Sequence, residues 1–140
     1  MIKQVLDIMQ MQHLQELGME LKETMLYWVV YEVGHENNFV TTKENAMEVI
    51  DESCGMLPAY TLQDVLDALP KYYHIAHIGW TKLSIRMHTT KEWEIGYVYT
   101  DELSKYAYGC RILGKELIDA AYELFCWCVE MGFVETNKNG

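Results

Sequence analysis

The apolar stretch from Lys115 to Phe133 constrains the fold of this chain more than any other segment. Its apolar residues recur at intervals of three and four, which places them on one side of a helix. They are Leu117, Ala121, Leu124, Cys128 and Met131. Acidic residues mark the opposite side, and Gly132 is a natural helix end. Because a helix with so broad an apolar side must cover another element, the pattern predicts a packed layer beneath it.

The second strong pattern is an alternation of apolar and polar residues over 82–88, which resumes from Trp93 to Tyr99. A period of two predicts a β-hairpin with one set of side chains on each face of a sheet. Pairing Met87 with Trp93 keeps both apolar sets on the face beneath the helix. The same register places Arg86 opposite Glu94, on the face turned away from the helix.

These patterns predict the α+β class. We expect a small antiparallel sheet, made of the hairpin 82–99 and a strand at 24–33, to be covered on one face by helices, notably 115–132. Earlier helices are predicted over 2–17 and 44–52, and a third begins after Thr61. A length of 140 residues fits a single domain, 1–140.

The charge of the chain is strongly negative, at −10, and it is concentrated in the first half. Residues 1–70 contain three lysines and no arginine against twelve acidic residues. Because such a surface repels phosphate, the charge predicts no nucleic-acid partner. Two interpretations remain open. The acidic residues give solubility, or they form a decoy surface that imitates DNA and binds a basic host protein.

The sequence also predicts a cytoplasmic protein without a membrane partner. No signal-peptide pattern begins the chain, and the longest apolar run, Met25–Tyr31, is too short to cross a bilayer. In that compartment the four cysteines are expected to be reduced thiols, largely buried. They are Cys54, Cys110, Cys126 and Cys128.

Two chemical sites are conceivable from the cysteines and histidines. A zinc site would use His74, His77, Cys126 and Cys128, but their spacing differs from that of structural zinc sites, so we predict no metal and no cofactor. A nucleophilic Cys110, activated by Arg111, would need one of His74, His77 and His88 as its base. No catalytic motif accompanies it, so no catalytic residue is assigned.

The segment 100–114 is interpreted as an irregular connector with the best binding residues of the chain. Tyr106, Tyr108 and Arg111 combine aromatic rings with a guanidinium group, as interface anchors do. The alternative is that the tyrosines close the hairpin core and Arg111 pairs with a carboxylate. Trp127 is a fourth candidate binding residue, because it falls between Glu123 and Glu130 on the polar side of the last helix.

Parts of the chain resemble small uncharacterised proteins of phages and mobile elements of gut bacteria. The similarity covers His13–Gly18, the Tyr-Ala-Tyr-Gly-Cys stretch that ends at Cys110, and Leu117–Phe133, where the pattern LxDAxxExxCWxxExGx is similar. Together these segments make up about a fifth of the chain. The resemblance implies a mobile-element origin and carries over no functional residue.

These observations favour a non-enzymatic protein-interaction domain of phage or mobile-element origin. Its partner would be another protein or a second copy of the chain, bound through the aromatic sheet or through the Cys126–Trp127 side of the last helix. The acidic decoy and a small Cys/His enzyme are the alternatives.

Overall fold

The computed structural model describes residues 3–75, 79–100 and 106–134, apart from the side chains of residues 100 and 106–108. The described part of the chain contains four α-helices and two antiparallel sheets of three and four strands, which confirms the α+β class. The contacts fall into two compact units, residues 4–64 and residues 65–134 with Lys3. A single domain over 1–140 stays a prediction.

The N-terminal unit, residues 4–64, holds a three-stranded sheet. Its elements are α1 (Ile8–Glu16), β1 (Leu26–Tyr31), β2 (Phe39–Thr42), α2 (Lys43–Val49) and β3 (Cys54–Pro58). The strands are ordered β2-β1-β3, and both pairings of β1 are antiparallel. Tyr27, Val29, Ala46 and Cys54 form a buried cluster between the sheet and α2. Strong alternation in β1 therefore gives this unit a core of its own.

The first helix begins later than predicted, because Asp7 caps it. The Asp7 carboxylate accepts a hydrogen bond from the backbone N–H of Gln10 at 2.8 Å, and the Gln10 side chain accepts one from the backbone N–H of Asp7 at 3.0 Å. Before this cap, Val5 forms a β-bridge with Thr61, and the N–H of Leu6 donates to the carbonyl oxygen of Tyr60 at 2.9 Å.

The predicted sheet composition is wrong in one respect. The strand expected at 24–33 exists as β1, but it does not join the hairpin 82–99. Both edges of β1 are already occupied, by β2 and by β3, so β1 offers no free edge to another strand. The segment 54–58, which is not predicted as a strand from the sequence, is that partner strand β3.

The C-terminal unit, residues 65–134, is built on an antiparallel meander. After α3 (Leu62–Ala68), within which the two units meet along the chain, come β4 (Tyr72–Ile75), β5 (Gly79–Thr89), β6 (Glu92–Thr100), β7 (Tyr106–Gly114) and α4 (Leu117–Glu130). The strands are hydrogen-bonded in the order β4-β5-β6-β7. The stretch 106–114, interpreted from the sequence as an irregular connector, is therefore the strand β7.

The predicted hairpin register is confirmed, with Met87 opposite Trp93 and Arg86 opposite Glu94. The prediction that the last helix covers this sheet is also confirmed, since α4 packs against β6 and β7. Ile95, Tyr97 and Leu124 are fully buried in that layer. The cover is centred on β6 and β7, so the β5 residues Ile85 and Met87 stay partly exposed.

The C-terminal end of α4 is fixed by a tight turn at Gly132, which has a φ of +80°. The N–H of Phe133 donates to the carbonyl oxygen of Cys128 at 2.8 Å, and the N–H of Gly132 donates to that of Val129 at 3.1 Å. This is a Schellman motif. It turns the ring of Phe133 onto the ring of Tyr73 in β4, with centroids 4.1 Å apart.

None of the described helices combines the length and apolar character needed to cross a lipid bilayer.

Candidate protein-interaction face

The outer face of the four-stranded sheet is the side turned away from α4. Because Ile95 and Tyr97 pack beneath α4, strand alternation and the paired registers assign the neighbouring residues to the other side. The outer face carries Tyr72, His74, Trp80, Lys82, Arg86, His88, Glu94, Val98, Arg111 and Leu113. Aromatic side chains lie at its β4–β5 end, and charged side chains lie near the β5–β6 turn.

The aromatic end of the outer face contains a shallow pocket of about 280 Å³. This aromatic pocket is lined by Tyr72, Trp80, Thr81, Lys82 and Val98. Tyr72 and Trp80 are 67% and 68% exposed, although both sit on regular strands. The ring of His74 meets the ring of Trp80 edge-on, with centroids 5.5 Å apart. The pocket therefore offers apolar rings to solvent, with one lysine among its lining residues.

The aromatic pocket is built on three paired strands. Thr81 is only 1% exposed, and its hydroxyl donates a hydrogen bond to the carbonyl oxygen of Tyr73 at 2.9 Å. Tyr72 pairs with Lys82 across β4 and β5, and Lys82 pairs with Val98 across β5 and β6. Three adjacent strands thus fix the positions of the pocket residues before any ligand arrives.

The charged end of the outer face is organised around Glu94. Its carboxylate accepts from Nε of Arg86 at 3.2 Å and from Nε of Arg111 at 3.3 Å, and Nδ1 of His88 lies 3.5 Å away. Glu94 is only 3% exposed, whereas the two arginine side chains are roughly half exposed. We call these four residues the Glu94 cluster.

The Glu94 cluster is positively charged, because one carboxylate faces two guanidinium groups. Arg86 and Arg111 are the only two arginines among the 140 residues. Burying an unpaired carboxylate would destabilise the folded protein, and here two guanidinium groups pair with it. The arrangement holds both guanidinium groups on neighbouring rows of one sheet face, with their side chains partly in water.

His88 lies against both charged partners of the Glu94 cluster through one ring nitrogen. Its Nδ1 is 3.2 Å from Nη2 of Arg111 and 3.5 Å from the Glu94 carboxylate. The imidazole therefore packs between a guanidinium group and the carboxylate that the guanidinium group contacts.

Among the residues predicted to bind, Arg111 lies in the Glu94 cluster and pairs with a carboxylate, in line with the alternative interpretation from the sequence. The side chains of Tyr106 and Tyr108 lie outside the described part of the structure, and only their backbone positions in β7 are known. No binding role is shown for these three residues.

Trp127, the fourth residue predicted to bind, is partly buried. Its ring contacts those of Tyr73, Tyr97 and Phe133, with centroids 5.8, 6.4 and 5.6 Å apart. The Schellman turn at Gly132 brings Phe133 back along the helix and against the indole. A binding role for Trp127 stays a prediction.

Cys110 and Cys128 face the aromatic core beneath the sheet, away from the outer face. Cys110 pairs with Tyr97 on the inner side of the sheet, whereas alternation places His74 and His88 on the outer side. Burial raises the pKa of Cys110 and Cys126, and it raises the pKa of Cys128 to about 11. Since an activated thiol needs a lowered pKa, this geometry does not favour the Cys110 enzyme hypothesis for the described histidines. His77 lies outside the described residues.

One polar atom of this core lacks a partner among the described residues, the hydroxyl of Tyr73. Burial raises the pKa of Tyr73, so the group stays a neutral phenol. The neighbouring Tyr97 hydroxyl donates to the carbonyl oxygen of Pro70 at 2.7 Å.

No group of three or more potential metal ligands occurs within residues 3–75, 79–100 and 106–134.

Two features of the site were not predicted from the sequence. Trp80 stands two residues before Lys82, so extending the hairpin alternation backwards would have placed it on the polar face. The burial of Glu94 had no such signal, because it depends on Arg111 from a strand that was interpreted as a connector.

Comparison of the chain with protein-family models, with curated proteins and with solved structures finds no match.

Proposed function

We propose that the protein is a non-enzymatic protein-interaction domain that binds a partner through the outer face of its C-terminal unit. The observation that carries the proposal is the exposure of Tyr72 and Trp80, 67% and 68%, on the rim of the aromatic pocket. Large aromatic side chains held in water beside a pocket are typical of contact surfaces.

The construction of the pocket supports a binding role. Its residues sit on paired strands, so little conformational entropy is lost when a partner covers them. Tyrosine and tryptophan supply large contact areas, and Lys82 adds a charge at the rim. The phage or mobile-element origin implied by the resemblance stays a prediction.

The proposal is tested by selecting peptides from a displayed random library on the full-length protein. A matched variant, Tyr72→Ser with Trp80→Ser, removes both exposed rings. We expect peptides enriched on the natural protein to lose binding to this variant at least tenfold. Met9→Ser with Met25→Ser removes two apolar side chains of the N-terminal unit that are even more exposed, and it should leave peptide binding unchanged.

Peptides that bind the double aromatic variant as well as the natural protein would contradict the proposal. Sedimentation equilibrium adds a second readout. A dimer that dissociates in the Tyr72→Ser, Trp80→Ser variant would identify the partner as a second copy of the chain, whereas a monomer in both would point to another protein.

A second candidate function, the acidic decoy, rests on the N-terminal unit. Residues 4–64 contain eleven acidic residues against two lysines and no arginine, and ten of those acidic residues are exposed. Only Lys22 and Lys43 interrupt the negative charge, and Lys43 already pairs with Glu23, whose pKa it lowers. The acidic side chains are thus not scattered among basic ones, as a merely mixed surface would require.

The decoy hypothesis predicts salt-dependent binding of basic ligands to this unit. Titrating the isotopically labelled protein with a nona-arginine peptide should shift backbone NMR signals within residues 4–64, and the affinity should fall steeply as salt is added. Shifts spread equally over both units, or binding insensitive to salt, would count against a dedicated acidic surface.

A further inference from the structure

The outer face carries two chemically different features in a fixed geometry. The aromatic pocket is centred near Lys82 on β5, and Arg86 lies four residues further along the same strand. At about 3.3 Å per residue, the two features are separated by about 13 Å. Arg111 reaches the same charged end from β7, since it pairs with Gly96 and contacts Glu94.

Glu94 acts as a positioning residue for the two guanidinium groups. Both arginines contact it through Nε, one at each carboxylate oxygen, and Glu94 is almost completely buried beneath them. Their side chains remain 52% and 37% exposed, so the positive charge of the cluster faces solvent. Guanidinium groups recognise carboxylates through geometrically defined hydrogen bonds.

We infer that the outer face recognises an extended peptide with a large apolar side chain and an acidic side chain four residues apart. In an extended chain, residues i and i+4 point to the same side and are separated by about 13 Å, which matches the spacing of the pocket and the Glu94 cluster. Spacings of three or five residues would turn the acidic side chain away from the sheet. The inference deepens the proposed function and rests on it.

A peptide fits this face better than a single-stranded nucleic acid does. Exposed rings beside cations can stack bases, but nucleic-acid binding draws on a broad positive field. Here the cations are Lys82, Arg86 and Arg111, and both arginines already contact the Glu94 carboxylate. The whole chain carries a net charge of −10. A local cation pair in an acidic protein suits one carboxylate of a peptide.

The test uses nitrogen-15-labelled full-length protein. Because the chain has two arginines, its NMR spectrum contains only two arginine Nε–H signals, and the indole signal of Trp80 reports on the pocket. The first probe is a serine heptapeptide with phenylalanine at its second position and glutamate at its sixth. Three matched probes carry the glutamate one position earlier, glutamine in its place, or alanine for phenylalanine.

We expect the first peptide to shift the indole signal and both arginine signals with one dissociation constant. Moving the glutamate, or replacing it with glutamine, should weaken binding at least fivefold. Arg86→Gln and Arg111→Gln should weaken it similarly, whereas Lys91→Gln, the same loss of charge at the exposed hairpin turn, should not. Circular dichroism checks that each variant is folded.

The outcomes separate the two proposals. If all phenylalanine peptides shift the Trp80 signal equally, whatever the position of the acid, the anionic subsite is refuted and the proposed function stands. If neither these peptides nor the library peptides affect Trp80, both fail. If oligothymidylate shifts the same signals at lower concentration than any peptide, the ligand is a nucleic acid and the inference is overturned.

Discussion

Replacing Gly96 with alanine should destabilise the C-terminal unit strongly. Gly96 lies in β6 between its partners Ser84 and Arg111, and it is buried. A Cβ at this position would overlap the backbone carbonyl oxygen of Cys110 and lie 3.1 Å from the Cα of Arg111. Because both obstacles are backbone atoms of the paired strand, no side-chain rotation relieves the clash.

The size of the effect follows from the nature of the obstacle. Extra methyl groups in a packed core cost about 1–3 kcal/mol where side chains can adjust. Here β7 itself must move, so we expect the free energy of unfolding to fall by about 3 kcal/mol. That is a large share of the roughly 5–15 kcal/mol that stabilises a typical domain. For a chain of this size it corresponds to a melting temperature lower by roughly 10 °C.

Urea unfolding followed by far-ultraviolet circular dichroism measures the change. Gly55→Ala in β3 is the matched control, because nothing lies within 4 Å of a Cβ built there. This control should leave stability unchanged or raise it by up to about 1 kcal/mol, since alanine restricts the unfolded chain. A Gly96→Ala variant as stable as Gly55→Ala would refute the close approach of β6 and β7.

Three further predictions concern the core, the Glu94 cluster and pH. Leu124→Ala should lower the free energy of unfolding by about 3 kcal/mol in a urea titration, because the side chain is fully buried. Leu113→Ala, on the outer face, should lower it by less than about 1 kcal/mol. Equal losses would contradict the placement of α4. Glu94→Gln should lower the free energy of unfolding by about 2 kcal/mol. The loss is smaller than that expected for a fully buried ion pair, because water can still reach both arginines. An unchanged urea midpoint would contradict the Glu94 cluster. Burial raises the pKa of Cys128 from 9.0 to about 11, so the unfolded chain loses this proton first. The contribution of Cys128 to stability should therefore fall by about 2 kcal/mol as the pH rises from 9 to 11, in addition to the losses from other buried groups with a raised pKa, such as Cys110, Tyr73 and Tyr97. Cys128→Ala should show a shallower fall in urea midpoints over that range, and equal falls would contradict the burial of this thiol.

The sequence predicted those parts of the fold that depend on local periodicity. The hairpin register and the position of α4 follow from strict alternation and from a broad helical stripe, and both are present. Segments with mixed patterns were not predicted as strands. Cys54–Pro58 contains glycine and proline, and 106–114 contains two glycines, so neither stretch reads as a strand until a partner supplies hydrogen bonds.

The candidate site was predicted only in part, because it depends on which strands become neighbours. Arg111 was singled out by its residue type and its neighbouring tyrosines. Its place in the Glu94 cluster depends on Glu94 and Arg86, which belong to other strands. The ring contacts of Trp127 depend on tertiary structure in the same way. A helical wheel shows the side of α4 on which Trp127 lies, but it does not show the chain reversal at Gly132 that brings Phe133 against the ring.

The stacking of Phe133 on Tyr73 has a consequence for the synthesis of the protein. Tyr73 belongs to β4, an edge strand of only four residues, which pairs with β5 along one side. Its ring is covered by the residue that follows the Gly132 turn. The nascent chain can therefore form the β5–β6 hairpin early, while β4 acquires its full packing only after Phe133 has left the ribosome.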